Sequence, residues 1–254
     1  MNASTLAAAT PITAWYFLSG VDVQRNGRLP VVAAFGDSIT DGDQRAVPNE
    51  PVDQNARYTD FLARQLNTVH GNGGRTRAAV INIGISGNQV TRSFIGENAV
   101  GRFDTEVLTR TGVTHLLVLE GINGIGLSGL LTAIGIPTPA ISAESIIAGL
   151  QQIAAQARAR AIVVIGGTLT PSGGSALPGY SGADVETRRQ AVNQWIRTSR
   201  VFDAVIDFDR LLRDPVDATR MQAILTADGL HPNSEGYRLM GEELARLFNR
   251  GLLR

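Results

Sequence analysis

Lysine is missing from this 254-residue chain altogether, and all 23 basic side chains are arginine. That excludes Schiff-base and pyridoxal-phosphate chemistry, and with them the lysine of a Walker-type phosphate loop. Cysteine is missing as well, so thiol nucleophiles, disulfides, iron–sulfur clusters and zinc–thiolate sites are excluded. Histidine is scarce, and His70, His115 and His231 are too few for a multi-histidine metal centre. Neither sign of charge is in excess, because 23 Asp and Glu balance the 23 arginines. Without a basic excess or a block of like charge there is no electrostatic footprint for nucleic acid or an anionic membrane surface. No apolar run approaches the roughly 18 residues of a membrane-spanning helix. The remaining chemistry comes from hydroxyls, carboxylates, three imidazoles and the backbone, and no metal or organic cofactor is expected.

What is present describes one globular domain. Hydrophobic residues make up 43% and charged residues 18%, the balance of a packed chain rather than a disordered one. The start, MNASTLAAATPITAWYFLSG, has a short apolar run with no basic residue before Arg25 and with Pro11 interrupting it. It makes a poor signal peptide and reads as the trimmed start of a mature chain, as in a secreted or periplasmic protein; localisation itself stays open. We read residues 1–28 as an extension packed on a domain spanning 29–254.

Five short apolar runs read as strands: Leu29–Phe35, Ala78–Gly84, His115–Glu120, Ala161–Gly166 and Ala204–Phe208. They are rich in Val and Ile and continuous rather than alternating, as strands buried on both faces are. Between them apolar residues recur at helical spacing. Tyr58, Phe61, Leu62 and Leu66 form one such stripe, and Ile146, Ile147, Leu150 and Ile153 another. Val185–Arg200, Ser234–Arg250 and a shorter Thr105–Arg110 complete the set. Strand alternating with helix predicts right-handed βαβ units. The expected fold is α/β: a single doubly wound, flavodoxin-like three-layer α/β/α sandwich around a central parallel five-stranded sheet.

In such a sheet ligands bind beyond the carboxyl ends of the strands. The first strand leads into Gly36-Asp37-Ser38, where Ser38 would sit at a helix N-terminus among amide dipoles that favour negative charge. The second leads into Gly84-Ile85-Ser86-Gly87-Asn88, where Gly87 offers an unobstructed backbone N–H. The third leads into Glu120-Gly121-Ile122-Asn123, with an amide donor at the same rim. Near the C-terminus, Asp228 stands three residues before His231. A carboxylate so placed can hold the imidazole Nδ1–H and leave Nε2 as a general base. Each fragment alone also has a bland reading, as a helix cap, a turn residue or a satisfied structural histidine. Their joint occurrence, each after its own element, is what points to a nucleophile, a base and an oxyanion site.

With those blocks in view, AFGDSITDG, INIGISGNQ, VLEGING and DGLHPNSEGY, the chain from Val31 to about Leu247 resembles the SGNH hydrolases, also called the GDSL esterase/lipase family. The resemblance implies Ser38 as nucleophile, His231 as general base and Asp228 as its orienting acid. It assigns the oxyanion hole to the Ser38 and Gly87 backbone N–H groups and the Asn123 side chain. NARYTDFLARQL is similar to the helix after the family's nucleophile, and TLTPSGG to its loop after the fourth strand. SITDG, FLSGVDV and TLTPSGG resemble carbohydrate-esterase-like bacterial members most. The implied reaction is hydrolysis of carboxylic esters, first short acyl or acetyl esters of small molecules or glycans, through an acyl-serine. The alternatives are medium-chain lipase or lysophospholipase activity, or an SGNH-fold binding domain with weakened turnover.

One position departs from the family, which usually carries Asp directly after the oxyanion Asn; here that residue is Gly124. The expectation is that Gly124→Asp restores the pattern and stabilises the fold slightly. The segment from Gly124 to Pro139 is apolar and punctuated by Gly and Pro. It reads either as a short helix packed on the core or as an acyl pocket or flap, with Leu127, Leu130, Leu131, Ile134 and Ile136 as its lining. Asp37, Leu127 and Leu130 are candidate substrate contacts. His70 reads as a residue at a helix C-terminus and His115 as a packed strand residue. Arg57 and Arg92 read as surface arginines within reach of the site. GISG and GGTLTPSGG lack GxGxxG and lysine, so they are poor phosphate loops, and the GxSxG elbow is absent. The oligomeric state is not legible.

Overall fold

The computed structural model describes residues 20–23, 27, 29–42, 54–67 and 78–252. Residues 1–19, most of the extension read from the sequence, lie outside the described residues, as does His70. In chain order the elements are β1 (Val31–Gly36), α1 (Ser38–Asp41), α2 (Tyr58–Asn67), β2 (Ala79–Gly84), α3 (Ala99–Phe103), β3 (Val113–Leu119), α4 (Ile122–Ala133) and α5 (Ala143–Ala159). β4 (Val163–Gly167), α6 (Ala183–Thr198), β5 (Ala204–Ile206), α7 (Phe208–Leu212) and α8 (Ser234–Leu247) follow. Every strand pair is parallel, in the order β2-β1-β3-β4-β5. This is the doubly wound sheet that the alternation of elements predicts.

The strands are continuously apolar because both faces of the sheet are covered. Val32 and Ala34 of β1, with Leu117 and Leu119 of β3, pack against Tyr58, Leu62 and Leu66 of α2 and Tyr237, Met240 and Leu244 of α8. Ala33, Phe35, Leu116 and Val118 face the other way, onto Phe103, the α5 residues Ile146, Leu150 and Ile153, and Val192 and Ile196 of α6. The period-2 alternation of each strand thus separates two cores. Each fully buried aliphatic or aromatic side chain in them contributes about 1.5–3 kcal/mol.

Strand ends shift from the sequence reading for local reasons. β1 starts after Pro30, which has no N–H for a ladder and offers only its carbonyl, to Ala79 N at 2.9 Å. β4 starts after Ala161, whose φ of 56° turns the chain. β5 stops short because Asp207 caps α7, its side chain accepting from Arg210 N. The predicted Thr105–Arg110 helix begins earlier, at an Asn98 cap whose side chain accepts from Gly101 N, and runs from α3 into a π-helical turn at Asp104–Leu108. The segment left open after Asn123 is a helix, α4, despite three glycines. Two of them are required by close approach: a Cβ at Gly126 would collide with the Tyr180 ring, and one at Gly129 with Gly179.

Candidate active site

The sheet register sets the rim. Gly36 pairs with Gly84 on one side and Leu119 on the other, so Ser38, Gly87 and Asn123 follow three adjacent strand ends. The turn after β1 is short and fully tied. Asp37 caps α1 by accepting from Ile39 N at 3.0 Å, and Gly42 N closes the helix on Ser38 O at 2.8 Å. Thr40 Oγ1 meets Tyr58 OH at 2.8 Å, Asn82 Nδ2 donates to Thr40 O at 2.5 Å, and Ser86 Oγ donates to Asp41 Oδ2 at 2.8 Å. Ser38 therefore stands on a turn held from α2 and β2 as well as from its own strand.

Across the rim, the segment before α8 presents His231. Its Nε2 lies 2.9 Å from Ser38 Oγ, and its Nδ1 lies 2.7 Å from Asp228 Oδ2. The other Asp228 oxygen accepts from the Leu230 and His231 amides at 2.9 and 2.8 Å. Thr226 Oγ1 donates to His231 O at 2.7 Å, which fixes the backbone beneath the ring. Burial pushes the Asp228 carboxyl up, but the His231 ring and these amides outweigh it and hold it at about 2. An ionised Asp228 only accepts, so the proton on Nδ1 is assigned and Nε2 is left to accept from Ser38 Oγ–H.

Gly87 turns the chain after β2 with φ 79°, where glycine is favoured, and the Ile95 side chain packs directly against it. Asn123, the second residue of α4 and buried, donates from Nδ2 to Asn88 O at 3.0 Å and accepts at Oδ1 from Tyr180 OH at 2.6 Å. Asn123 is thereby bonded to the residue that follows Gly87.

Beneath this rim lies a buried charged group. Arg102 donates to Gly36 O, Ile83 O and Asn88 Oδ1 at 2.9–3.0 Å and to Glu106 at 2.7 Å, with its guanidinium over the Phe35 ring. It ties together the ends of β1 and β2 and the loop after β2. Glu120 is also fully buried; among the described residues neither of its oxygens has a hydrogen-bond partner, and Arg102 Nη2 is 3.9 Å away. Burial, then the negative charge of Asp37, pushes the Glu120 carboxyl well above the usual carboxylate range. Burial likewise pushes the Asp37 carboxyl up to about 6, against the Ile39 amide, His231 and Arg102.

The structure thus brings Ser38, Asp228 and His231 into one hydrogen-bonded chain and sets Gly87 and Asn123 on the neighbouring strand ends. The candidate substrate contacts are placed less openly. Asp37 is a buried cap, Leu127 is buried on α4, and Leu130 is half-buried against the core. Gly124 lies within α4, where an added Cβ would face Ile146 and Ile141 at 3.3–3.6 Å. That apolar setting argues against the expectation that aspartate there would stabilise. His115 is packed as read: buried, bonded to Thr114 Oγ1 and Leu252 O at 2.8 and 2.9 Å, and edge-on to Phe248. Arg92 bonds Pro139 O and Gln89, and Arg57 bonds Asp41 O. An open depression of about 370 Å³ lies between α4 and the start of α6, lined by Ser128, Gly129, Asp184 and Arg188 among others; Ser38, Asp228 and His231 do not line it. Sequence reading gave Arg102, Asn88 and Tyr180 no role. A lone arginine in the helical run AVGRF was a faint signal for the first, and none marked Tyr180.

Among the described residues no group of three His, Asp or Glu could hold a metal ion, and no helix is long and apolar enough to cross a membrane. No curated protein matches the chain. Solved structures do, at low identity. A GDSL-like lipase from Bacteroides thetaiotaomicron shares 17% identity, with 87% of this chain and 89% of that one covered and a TM-score of 0.63. A carbohydrate acetylesterase from Sinorhizobium meliloti shares 14%, covering 87% and 99%, with a TM-score of 0.63. The aryl esterase of M. smegmatis shares 16%, covering 88% and 100%, with a TM-score of 0.62. These likenesses establish the three-layer fold. The sequence model of one family matches residues 34–239, from the end of β1 into α8, and on that match the chain belongs to the GDSL-like lipase/acylhydrolase family.

Proposed function

We propose that the protein is a serine esterase that hydrolyses short-chain carboxylic esters, acetyl esters of small molecules or glycans first, through an acyl-Ser38 intermediate. The observation that carries this reading is the continuous chain Ser38 Oγ, His231 Nε2, His231 Nδ1, Asp228 Oδ2, with links of 2.9 and 2.7 Å. His231 takes the Ser38 proton as Oγ attacks the ester carbonyl, then returns it to the leaving alcohol. Asp228 keeps the imidazole in the working tautomer and stabilises the imidazolium as it forms. The amides of Ser38 and Gly87 and the Asn123 side chain receive the oxyanion, and loss of one such donor typically raises the barrier by about 2.7–4 kcal/mol. Water then repeats the sequence on the acyl-enzyme.

The surroundings of Gly87 bear on substrate size. Ile95 lies against it and, with Phe94, forms an apolar but half-exposed edge, which suits a small acyl group and gives a long chain little cover. The Sinorhizobium acetylesterase shares the fold and supports the same choice. The test is hydrolysis of p-nitrophenyl acetate by the wild type and by Ser38→Ala, followed by an acyl-length series. Loss of activity in Ser38→Ala with an unchanged melting temperature, and phosphonate labelling of Ser38, are the expected results. Labelling of another serine refutes the nucleophile, and a rate that climbs through octanoate supports a medium-chain lipase instead.

A further inference from the structure

Tyr180 lies in the connection between β4 and α6, yet its side chain is 3% exposed and its hydroxyl donates to Asn123 Oδ1 at 2.6 Å. Its ring lies across Gly126, one turn along α4 from Asn123. The Asn123 amide is therefore gripped at both ends, the oxygen by the Tyr180 phenol and the nitrogen by Asn88 O at 3.0 Å. Together the two grips fix the sense of the amide, because a flip would set its oxygen against the Asn88 carbonyl, and neither of those can donate. Burial, reinforced by the negative charge of Asp37, pushes the phenol's pKa up, so Tyr180 remains a donor wherever an esterase works. The neighbouring Gly124 has no side chain with which to brace the amide. Bracing has to come from another segment, and Tyr180 supplies it.

We infer that Tyr180 is a positioning residue for ester hydrolysis: by holding Asn123 Oδ1 it aims the second Nδ2–H at the oxygen that becomes negative. The inference rests on the reading of Asn123 as an oxyanion donor. Nδ2 has two protons, and one is engaged by Asn88. The other is useful to catalysis only if its direction is fixed before the reaction, since preorganisation is what gives such donors their effect.

The test compares Tyr180→Phe, Asn123→Ala, the double variant and Ser38→Ala on p-nitrophenyl acetate, with melting temperatures on the same samples. Removing an oxyanion donor costs about 10²–10³ in kcat. Tyr180→Phe keeps that donor and releases one of its two grips, so kcat should fall about tenfold with KM within twofold. In the Asn123→Ala background the same change should cost nothing further. Placing 4-aminophenylalanine at 180, which restores a donor on the same ring, should recover most of the loss. Equal losses in both backgrounds, or an effect on KM alone, would overturn the proposal. A Tyr180→Phe protein that fails to fold would overturn it too, because phenylalanine fills the same space on Gly126 and the residue would then be structural. Asn123→Ala at the wild-type rate beside an inactive Ser38→Ala removes the oxyanion role of Asn123, and this proposal with it. Ser38→Ala at the wild-type rate identifies the acyl-serine reading itself as the failure.

Discussion

A carboxylate at Gly124 would destabilise the helix that carries Asn123. Gly124 lies within α4, its carbonyl accepting from Ile141 N at 3.2 Å, and a Cβ there would stand 3.3 Å from Ile146 Cδ1 and 3.6 Å from Ile141 Cδ1. An aspartate carboxyl would therefore enter an apolar gap. To stay neutral at pH 7 it must be protonated about three units above its ordinary pKa, at about 1.4 kcal/mol per unit, or about 4 kcal/mol. Proximity to the helix N-terminus offsets about 0.3–1 kcal/mol of that. The net loss is about 3–4 kcal/mol, which in a domain of this size lowers Tm by roughly 6–16 °C. The sign with pH follows directly. The folded-state pKa is raised, so the penalty grows as pH rises above the unfolded value near 4 and is largely released below it. Gly124→Ala should do the opposite. A helical alanine gains about 0.8–1 kcal/mol over glycine, and the Ile146 end group it meets can yield, so Tm should rise by roughly 1–4 °C. Thermal unfolding of the three proteins at pH 4 and pH 7 decides the matter. An aspartate variant as stable as the wild type at pH 7 would refute the reasoning.

Other perturbations of the site have equally definite outcomes. Asp37, raised to about 6 by burial, keeps in the folded state a proton that the unfolded chain releases between about pH 4 and 6, so stability falls as pH rises through that window, by at most about 3 kcal/mol. Asp37→Asn keeps the cap and should gain stability relative to the wild type at pH 7 but not at pH 4; urea unfolding at the two values shows it, and a difference independent of pH counts against the assignment. Asp228→Asn puts a donor where His231 Nδ1–H needs an acceptor, so kcat should fall by about 10⁴-fold, the size seen in Ser-His-Asp triads, with little change in Tm; a loss under tenfold would remove Asp228 from the mechanism.

The parts of the fold legible in the sequence were those written in local pattern. Continuous Val- and Ile-rich runs mark all five strands because the sheet is covered on both faces; the blocks after the first three strands offer Ser38, Gly87 and Asn123 as candidates because a doubly wound sheet gathers its strand ends, and the block before the last helix offers Asp228 and His231. What stayed illegible depends on contacts that no spacing encodes. Arg102 looked like any helical arginine, yet its bonds to Gly36 O and Ile83 O cross 66 and 19 residues. Tyr180 reaches Asn123 across 57 residues from a loop without a motif. Gly124 looked like a missing support because the departure was visible and its neighbours Ile141 and Ile146 were not. α4 stayed open because its glycines argue against a helix until the Tyr180 ring and Gly179 are seen to need the space.

Ser38 and His231 touch across 193 residues, one just past the first strand and the other just before the last long helix. Closing a loop of that length carries an entropic cost of about 4–5 kcal/mol before any contact repays it, and here it is repaid by packing α8 against α2. Under the proposed mechanism the hydrolytic centre is complete only once the segment before α8 has docked beside the end of β1. A ribosome-bound chain displaying the whole sheet remains silent towards esters until the C-terminal segment has emerged and docked.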